Sequence, residues 1–326
     1  MSKQVIIAAL TALSIQSIAA HAQQGAASYP TKPLRFVVGL APGGATDIVA
    51  RLIGQKLTEA LGHTVIVDNR AGAAGSIAGA IVAKATPDGY TLHVVSSSFA
   101  INPSLHDLPF DTLKDFAPIS LIAQAPFLLV TTPSLRVESV KDLIARAKAK
   151  PSTMHFSSGG YGGSGHLAGE LFKRMAGIQV DHVAFRGGSP SVQAVIAGQV
   201  HMTFSAIVAG LQYWKAGRLR AHGVTSAKRS KAAPELPTIA EAGVAGYQVL
   251  TWYGILAPAR TPREIVAKLT GAVSKIVSSP EIEQKFLNDG AEPVGSAPEE
   301  FRRHLVDEIA RIEKLAKEIG LKAGKK

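Results

Sequence analysis

From about residue 29 the chain alternates short runs rich in β-branched and apolar residues with longer amphipathic runs. Period-two or continuous apolar stretches predict strands at 34–40, 64–68, 91–96, 119–131, 154–157, 180–185, 201–205, 220–225 and 249–256. Helical periodicity fills the gaps at 47–61, 77–85, 140–149, 166–175, 190–197 and 211–216. The last seventy or so residues read as mostly helical, with starts at Thr261-Pro262, Ser279-Pro280 and Ala297-Pro298. Strands alternating with helices predict an α/β fold with parallel sheets and right-handed crossovers. The loop-rich stretch 97–117 and the polar, basic stretch 226–237 divide the pattern into two αβ blocks. Two layouts fit: domains in series, or a chain that leaves one lobe, builds a second and returns. The second needs connections near 124–133 and 225–249, and both regions carry prolines.

At 326 residues the chain has room for one large or two medium domains. Hydrophobic residues at 46% and charged residues at 18% exclude a disordered chain. The absence of cysteine excludes disulfides, cysteine-ligated zinc, iron–sulfur clusters and thiol catalysis. A net charge of +11 favours anionic partners. The lysines and arginines are scattered over helix faces rather than interleaved with aromatics, which argues against nucleic acid. Residues 1–22 have the layout of a secretory signal: Lys3, an apolar stretch from Val5 to Leu13, and the A-x-A site Ala20-His21-Ala22. Cleavage after Ala22 would release an exported protein. The apolar stretch is shorter than the ~20 residues a membrane span needs.

Three helices begin with glycine directly after a strand. They are Ala41-Pro42-Gly43-Gly44-Ala45-Thr46-Asp47, Ser158-Gly159-Gly160-Tyr161-Gly162-Gly163-Ser164-Gly165 and Arg186-Gly187-Gly188-Ser189-Pro190. A helix start carries unpaired N–H groups and positive partial charge, and glycine lets an anion approach them. All three fall at the carboxyl ends of predicted parallel strands, the edge where α/β sheets bind ligands. Ser189-Pro190 has N-cap and N1 chemistry, and Ser164 would cap its helix while His166 packs in the first turn. The second loop also matches G-x-G-x-x-G, with Asp181 about twenty residues on. Asp181, however, lies near the start of its strand, at the wrong sheet edge for a ribose. A serine hydrolase is a further alternative, since Gly162-Gly163-Ser164-Gly165-His166 falls one residue short of G-x-S-x-G. No HExxH, EF-hand or P-loop pattern occurs, so neither a metal nor a cofactor is expected.

The chain resembles the Bug-type extracytoplasmic solute receptors, the substrate-binding proteins of tripartite tricarboxylate transporters. The resemblance rests on Ala41-Pro42-Gly43-Gly44-Ala45-Thr46-Asp47; Leu108-Pro109-Phe110-Asp111 through Lys114-Asp115-Phe116-Ala117-Pro118-Ile119; Ser164-Gly165-His166-Leu167-Ala168-Gly169-Glu170-Leu171-Phe172; Phe185-Arg186-Gly187-Gly188-Ser189-Pro190; and Trp252-Tyr253-Gly254-Ile255-Leu256-Ala257-Pro258. It implies a periplasmic binding protein fold with two αβ lobes, a hinge and a ligand cleft. Lobe one would be 29–125 plus 248–326, and lobe two 126–247. It implies a periplasmic, monomeric, non-enzymatic receptor that hands a small carboxylate to membrane transporter subunits, or presents it to a signalling sensor. The carboxylate, a di- or tricarboxylate or an aromatic acid, would be captured by hinge closure.

The implied binding residues are Leu40, Ala41, Pro42, Gly43 and Gly44; Ser97 and Ser98; Ser158, Gly160, Tyr161, Gly163 and Ser164; Arg186, Gly187 and Gly188; and Ser205. Two positions depart from the family pattern. Ser205 stands where many members carry Asp, which disfavours an amino-acid ligand, and Gly163 stands where Ser or Thr is common. Tyr161 and Phe99 are candidates for a pocket floor or for packing between lobes, and Trp252 for the hinge or the core of lobe one.

Overall fold

The computed structural model describes residues 28–321. The expected leader, its cleavage after Ala22 and the basic tail 322–326 lie outside the described residues. Among the described residues, strands and α-helices follow in the order β1 Leu34–Val38, α1 Ala45–Leu61, β2 Val65–Asn69, α2 Ser76–Ala83, β3 Thr91–Ser96, α3 Ser98–Ile101, β4 Phe116–Thr131, α4 Val140–Ala149, β5 His155–Ser158, α5 Ser164–Ala176, β6 Asp181–Ala184, α6 Gly188–Ile196, β7 Met202–Ala206, α7 Ile207–Lys215, β8 Arg220–Val224, β9 Leu250–Pro258, α8 Arg263–Val277, α9 Pro280–Asn288, β10 Glu292–Pro293 and α10 Pro298–Ile319. The short helix α3 occupies the start of the stretch expected to be loop. Glycine in left-handed conformation ends α1 at Gly62, α5 at Gly177 and α10 at Gly320, closing each with a backbone bond to the last turn.

The strands form one path, β2-β1-β3-β9-β4-β7-β5-β6, with β8 and β10 joined to β4. At one end β2, β1 and β3 run parallel, and at the other β7, β5 and β6 do so, as βαβ alternation requires. The middle is antiparallel. β4 is 16 residues long: Phe116 to Pro126 pair with β9, and from Phe127 on the strand pairs with β7 and β8. One strand therefore belongs to both lobes, which hydrophobic patterning could not reveal, because both halves read as continuous apolar runs.

Each lobe has an aromatic core. Phe99, Phe110, Phe116, Trp252 and Phe301 pack together in the first, and Phe156, Phe172, Phe204 and Tyr247 in the second. Trp252 is thus a core residue, its ring edge-on to Phe301 at 5.6 Å. Phe99 likewise packs against Phe116 and Phe110. Where the chain passes between sheets, Thr225 ties the passages together. Its hydroxyl accepts from Phe127 N–H at 2.7 Å and donates to Val249 O at 2.5 Å, and its own N–H donates to Phe127 O. Buried bonds of this kind hold the crossing strands in register.

Candidate functional site

Between the lobes lies a cavity of about 70 Å³. It is walled by the starts of three helices. Gly44, Ala45 and Thr46 come from α1, Gly163, Ser164 and Gly165 from α5, and Gly188 and Ser191 from α6. The N-caps are Gly44, Gly163 and Gly187, and none has a side-chain cap hydrogen bond. Ser164 is therefore the first residue of α5 rather than its cap, and Ser189-Pro190 lie inside the first turn of α6. The sequence offered cap-capable hydroxyls at both ends, and the chain instead places glycine at each cap. Apart from Ser164 N–H, which Ser98 Oγ takes, the first-turn N–H groups of the three helices have no cap side chain of their own to pair with.

Local contacts hold each loop in this shape. Asp47, buried in the first turn of α1, accepts from Gly43 N–H at 2.9 Å and from Arg51 Nε at 2.9 Å. Burial alone would raise its carboxyl. Arg51 and the Gly43 amide outweigh that and hold it below the usual carboxylate range. In the second lobe Ser158 Oγ donates to Gly160 O at 2.9 Å and lies 2.7 Å from His182 Nε2. His166 Nδ1 accepts from Gly162 N–H at 3.1 Å, and its ring stacks on His182 with centroids 4.0 Å apart. Tyr161 joins this stack at 4.6 Å from His166. Burial is the main cause that pushes His166 down to about 3 and His182 down to about 4, so both are neutral near pH 7. Neutrality is required: only an unprotonated Nδ1 can accept from Gly162.

The lobes touch across the cavity. Ser164 N–H donates to Ser98 Oγ at 3.2 Å, and His106 Nε2 lies 3.1 Å from Tyr161 O. Gly187, at φ +131°, approaches so closely that an added Cβ would stand 2.7 Å from Ala41 N. Only glycine satisfies both the backbone angle and the contact.

The expected residues separate into three groups. Leu40, Gly44, Ser98, Gly163, Ser164, Gly188 and Ser205 line the cavity. Ala41, Ser158, Gly160, Tyr161 and Gly187 stand behind it, shaping the loops or joining the lobes. Ser97 is one layer further back, with its hydroxyl 2.9 Å from Thr251 Oγ1. Pro42, Gly43 and Arg186 are exposed. The sequence reading missed Thr251 and Tyr253, which line the cavity from β9, and Phe127, which lines it from β4. Alternation along β9 was the available signal, since Thr251 and Tyr253 share one face and Trp252 takes the other. The His166–His182 pair was also missed, because the two residues lie on different elements. Among the described residues no helix is long and apolar enough to cross a membrane, and no group of three potential metal ligands occurs. Asp181 is the first residue of β6 and exposed, far from the loop that a dinucleotide reading would pair it with.

Residues 49–321 match the tripartite tricarboxylate transporter family receptor, TctC. Protein BugT of Bordetella pertussis (strain Tohama I) is 34% identical over 317 residues, 96% of this chain and 97% of BugT. Among solved structures, R. palustris Rpa4515 with adipate is 39% identical at a TM-score of 0.89, covering 91% of this chain and 100% of that one. MatC (Rpa3494) from Rhodopseudomonas palustris with bound malate is 30% identical at a TM-score of 0.82, covering 88% and 99%. The two-lobed α/β architecture is that of the periplasmic binding proteins, and the chain belongs to the tripartite tricarboxylate transporter receptor family.

Proposed function

We propose that the protein captures a small organic acid in the interlobe cavity by closing about the Thr225 hinge, and delivers it to transporter subunits in the membrane. The observation that carries this reading is the convergence of three helix starts, each with glycine at its N-cap, on one cavity. Such starts stabilise an anion without a titrating group, so the site binds rather than turns over its ligand. The lobe division at 29–125 plus 248–326 and 126–247 follows the passages through β4 and into β9. Solved relatives holding adipate and malate support a carboxylic acid as ligand. Ser205 on the cavity wall supports a ligand without an ammonium group, for which a carboxylate partner would be needed. Export with cleavage after Ala22 completes the reading, and the net positive charge assists encounter with anions.

A thermal-shift panel of mono-, di-, tri- and aromatic carboxylates tests it. At a hundred times its dissociation constant a ligand adds about 2.7 kcal/mol, which raises Tm by several degrees. A melt that moves with NAD or a divalent metal, and with no carboxylate, would refute the receptor reading.

A further inference from the structure

The far wall of the cavity carries chemistry that the helix starts do not explain. Among the lining residues Phe127 and Ala209 are apolar, and Ser205 and Tyr253 add two hydroxyls. Among the described residues lining the cavity none is charged. Tyr253 is 1% exposed, and its hydroxyl makes no hydrogen bond of ordinary geometry, with the Thr251 hydroxyl as its polar neighbour. Thr251 stands beside it on the same face of β9, with Thr251 Oγ1 2.9 Å from Ser97 Oγ. A buried, unpaired phenol is costly, and native chains rarely keep one without a use. Burial raises its pKa well above the usual tyrosine value, against a smaller lowering by Thr251, so the group remains a donor at every physiological pH.

We infer that the Tyr253 hydroxyl donates a hydrogen bond to the second carboxylate of a dicarboxylic acid whose first carboxylate sits at the helix starts. This rests on the carboxylate reading proposed above and narrows it. The helix starts at one end bind any carboxylate. Tyr253 makes the other end selective for an acceptor. The apolar surface between them suits a methylene chain. A cation at the far end would bind more tightly but would also hold any anion. A neutral donor in an apolar wall discriminates, because a ligand lacking the acceptor leaves the phenol unpaired.

The experiment is isothermal titration of the wild type and Tyr253→Phe with succinate, glutarate and adipate, each against the monocarboxylate of equal length: butyrate, valerate and hexanoate. The wild type is expected to prefer at least one dicarboxylate over its partner by tenfold or more. Y253F should weaken that dicarboxylate about tenfold and leave the monocarboxylate within twofold. The ligand-free melt of Y253F should not fall, since the variant deletes an unpaired hydroxyl. A lower melt with equal losses on both acids would assign Tyr253 to packing and overturn the inference. Unchanged dicarboxylate affinity, or a wild type that takes the monocarboxylates as well, would also overturn it while leaving the carboxylate reading in place. A wild type that binds no carboxylate of a wider panel would overturn both.

Discussion

Gly163→Asp is expected to lower carboxylate affinity by about 10²–10³-fold while the protein remains folded. Gly163 is the N-cap of α5 at φ −75°, ψ 163°, an ordinary extended conformation open to any residue. Aspartate is among the favoured N-cap residues, so its side chain would turn back onto the first-turn amides. Those are the donors proposed for the ligand. The new carboxylate would compete for them from within the chain and repel the ligand's own charge. Two unit charges 4 Å apart interact by about 4 kcal/mol at an effective dielectric of 20. The added Cβ would meet Gly160 O at 3.1 Å and Ser98 Oγ at 3.8 Å, which asks for a shift of a few tenths of an ångström. Calorimetric titration measures the loss, and the ligand-free melt should hold or rise. Gly163→Asn, of equal shape and no charge, should lose far less. Equal losses in both variants would place the effect in sterics rather than in charge.

Acid is expected to weaken both fold and binding through the same loop. His166 and His182 are neutral in the folded protein, pushed down to about 3 and about 4, mainly by burial. An unfolded chain protonates both below about 6.5. The unfolded state therefore binds more protons as pH falls from 6.5, and stability declines until the folded histidines also protonate near 4 and 3. Allowing for partial solvent contact, the pair contributes on the order of a few kcal/mol across that window. Lys173 and His106 add to the positive field on His166, while Glu170 lies 3.7 Å from its Nε2. Once Nδ1 carries a proton it faces the Gly162 N–H donor against donor, and the loop leading to Gly163 must rearrange. Denaturant melts at pH 7 and pH 4.5 measure the first effect, and His182→Gln should flatten the slope. Titration with an acid fully ionised at both pH values measures the second. A protein equally stable at both would contradict the buried-pair account.

The alternation of strands and helices was legible because each αβ unit buries one face at its own period. The three glycine-bearing helix starts were legible for a related reason, since their shape depends on local backbone chemistry. What was not legible depends on contacts distant in sequence. Ser164 looks like a cap until Ser98, 66 residues earlier, takes its N–H. Tyr253 looks like core, and it does belong to the buried hydrophobic cluster. Only its hydroxyl end tells otherwise, and only once β9 is seen beside the cavity. Arg186 drew attention because it precedes two glycines, yet it points to solvent. The histidine pair needed β6 and α5 to be placed side by side before either residue had a role.

The most direct measurement is a crystal structure of the protein with the acid that produces the largest melt shift. The account predicts one carboxylate group in the interlobe cavity, its oxygens about 2.7–3.2 Å from backbone nitrogens at the starts of α1 and α5. An acid bound outside that cavity, or held within it by a lysine or arginine side chain, would contradict it.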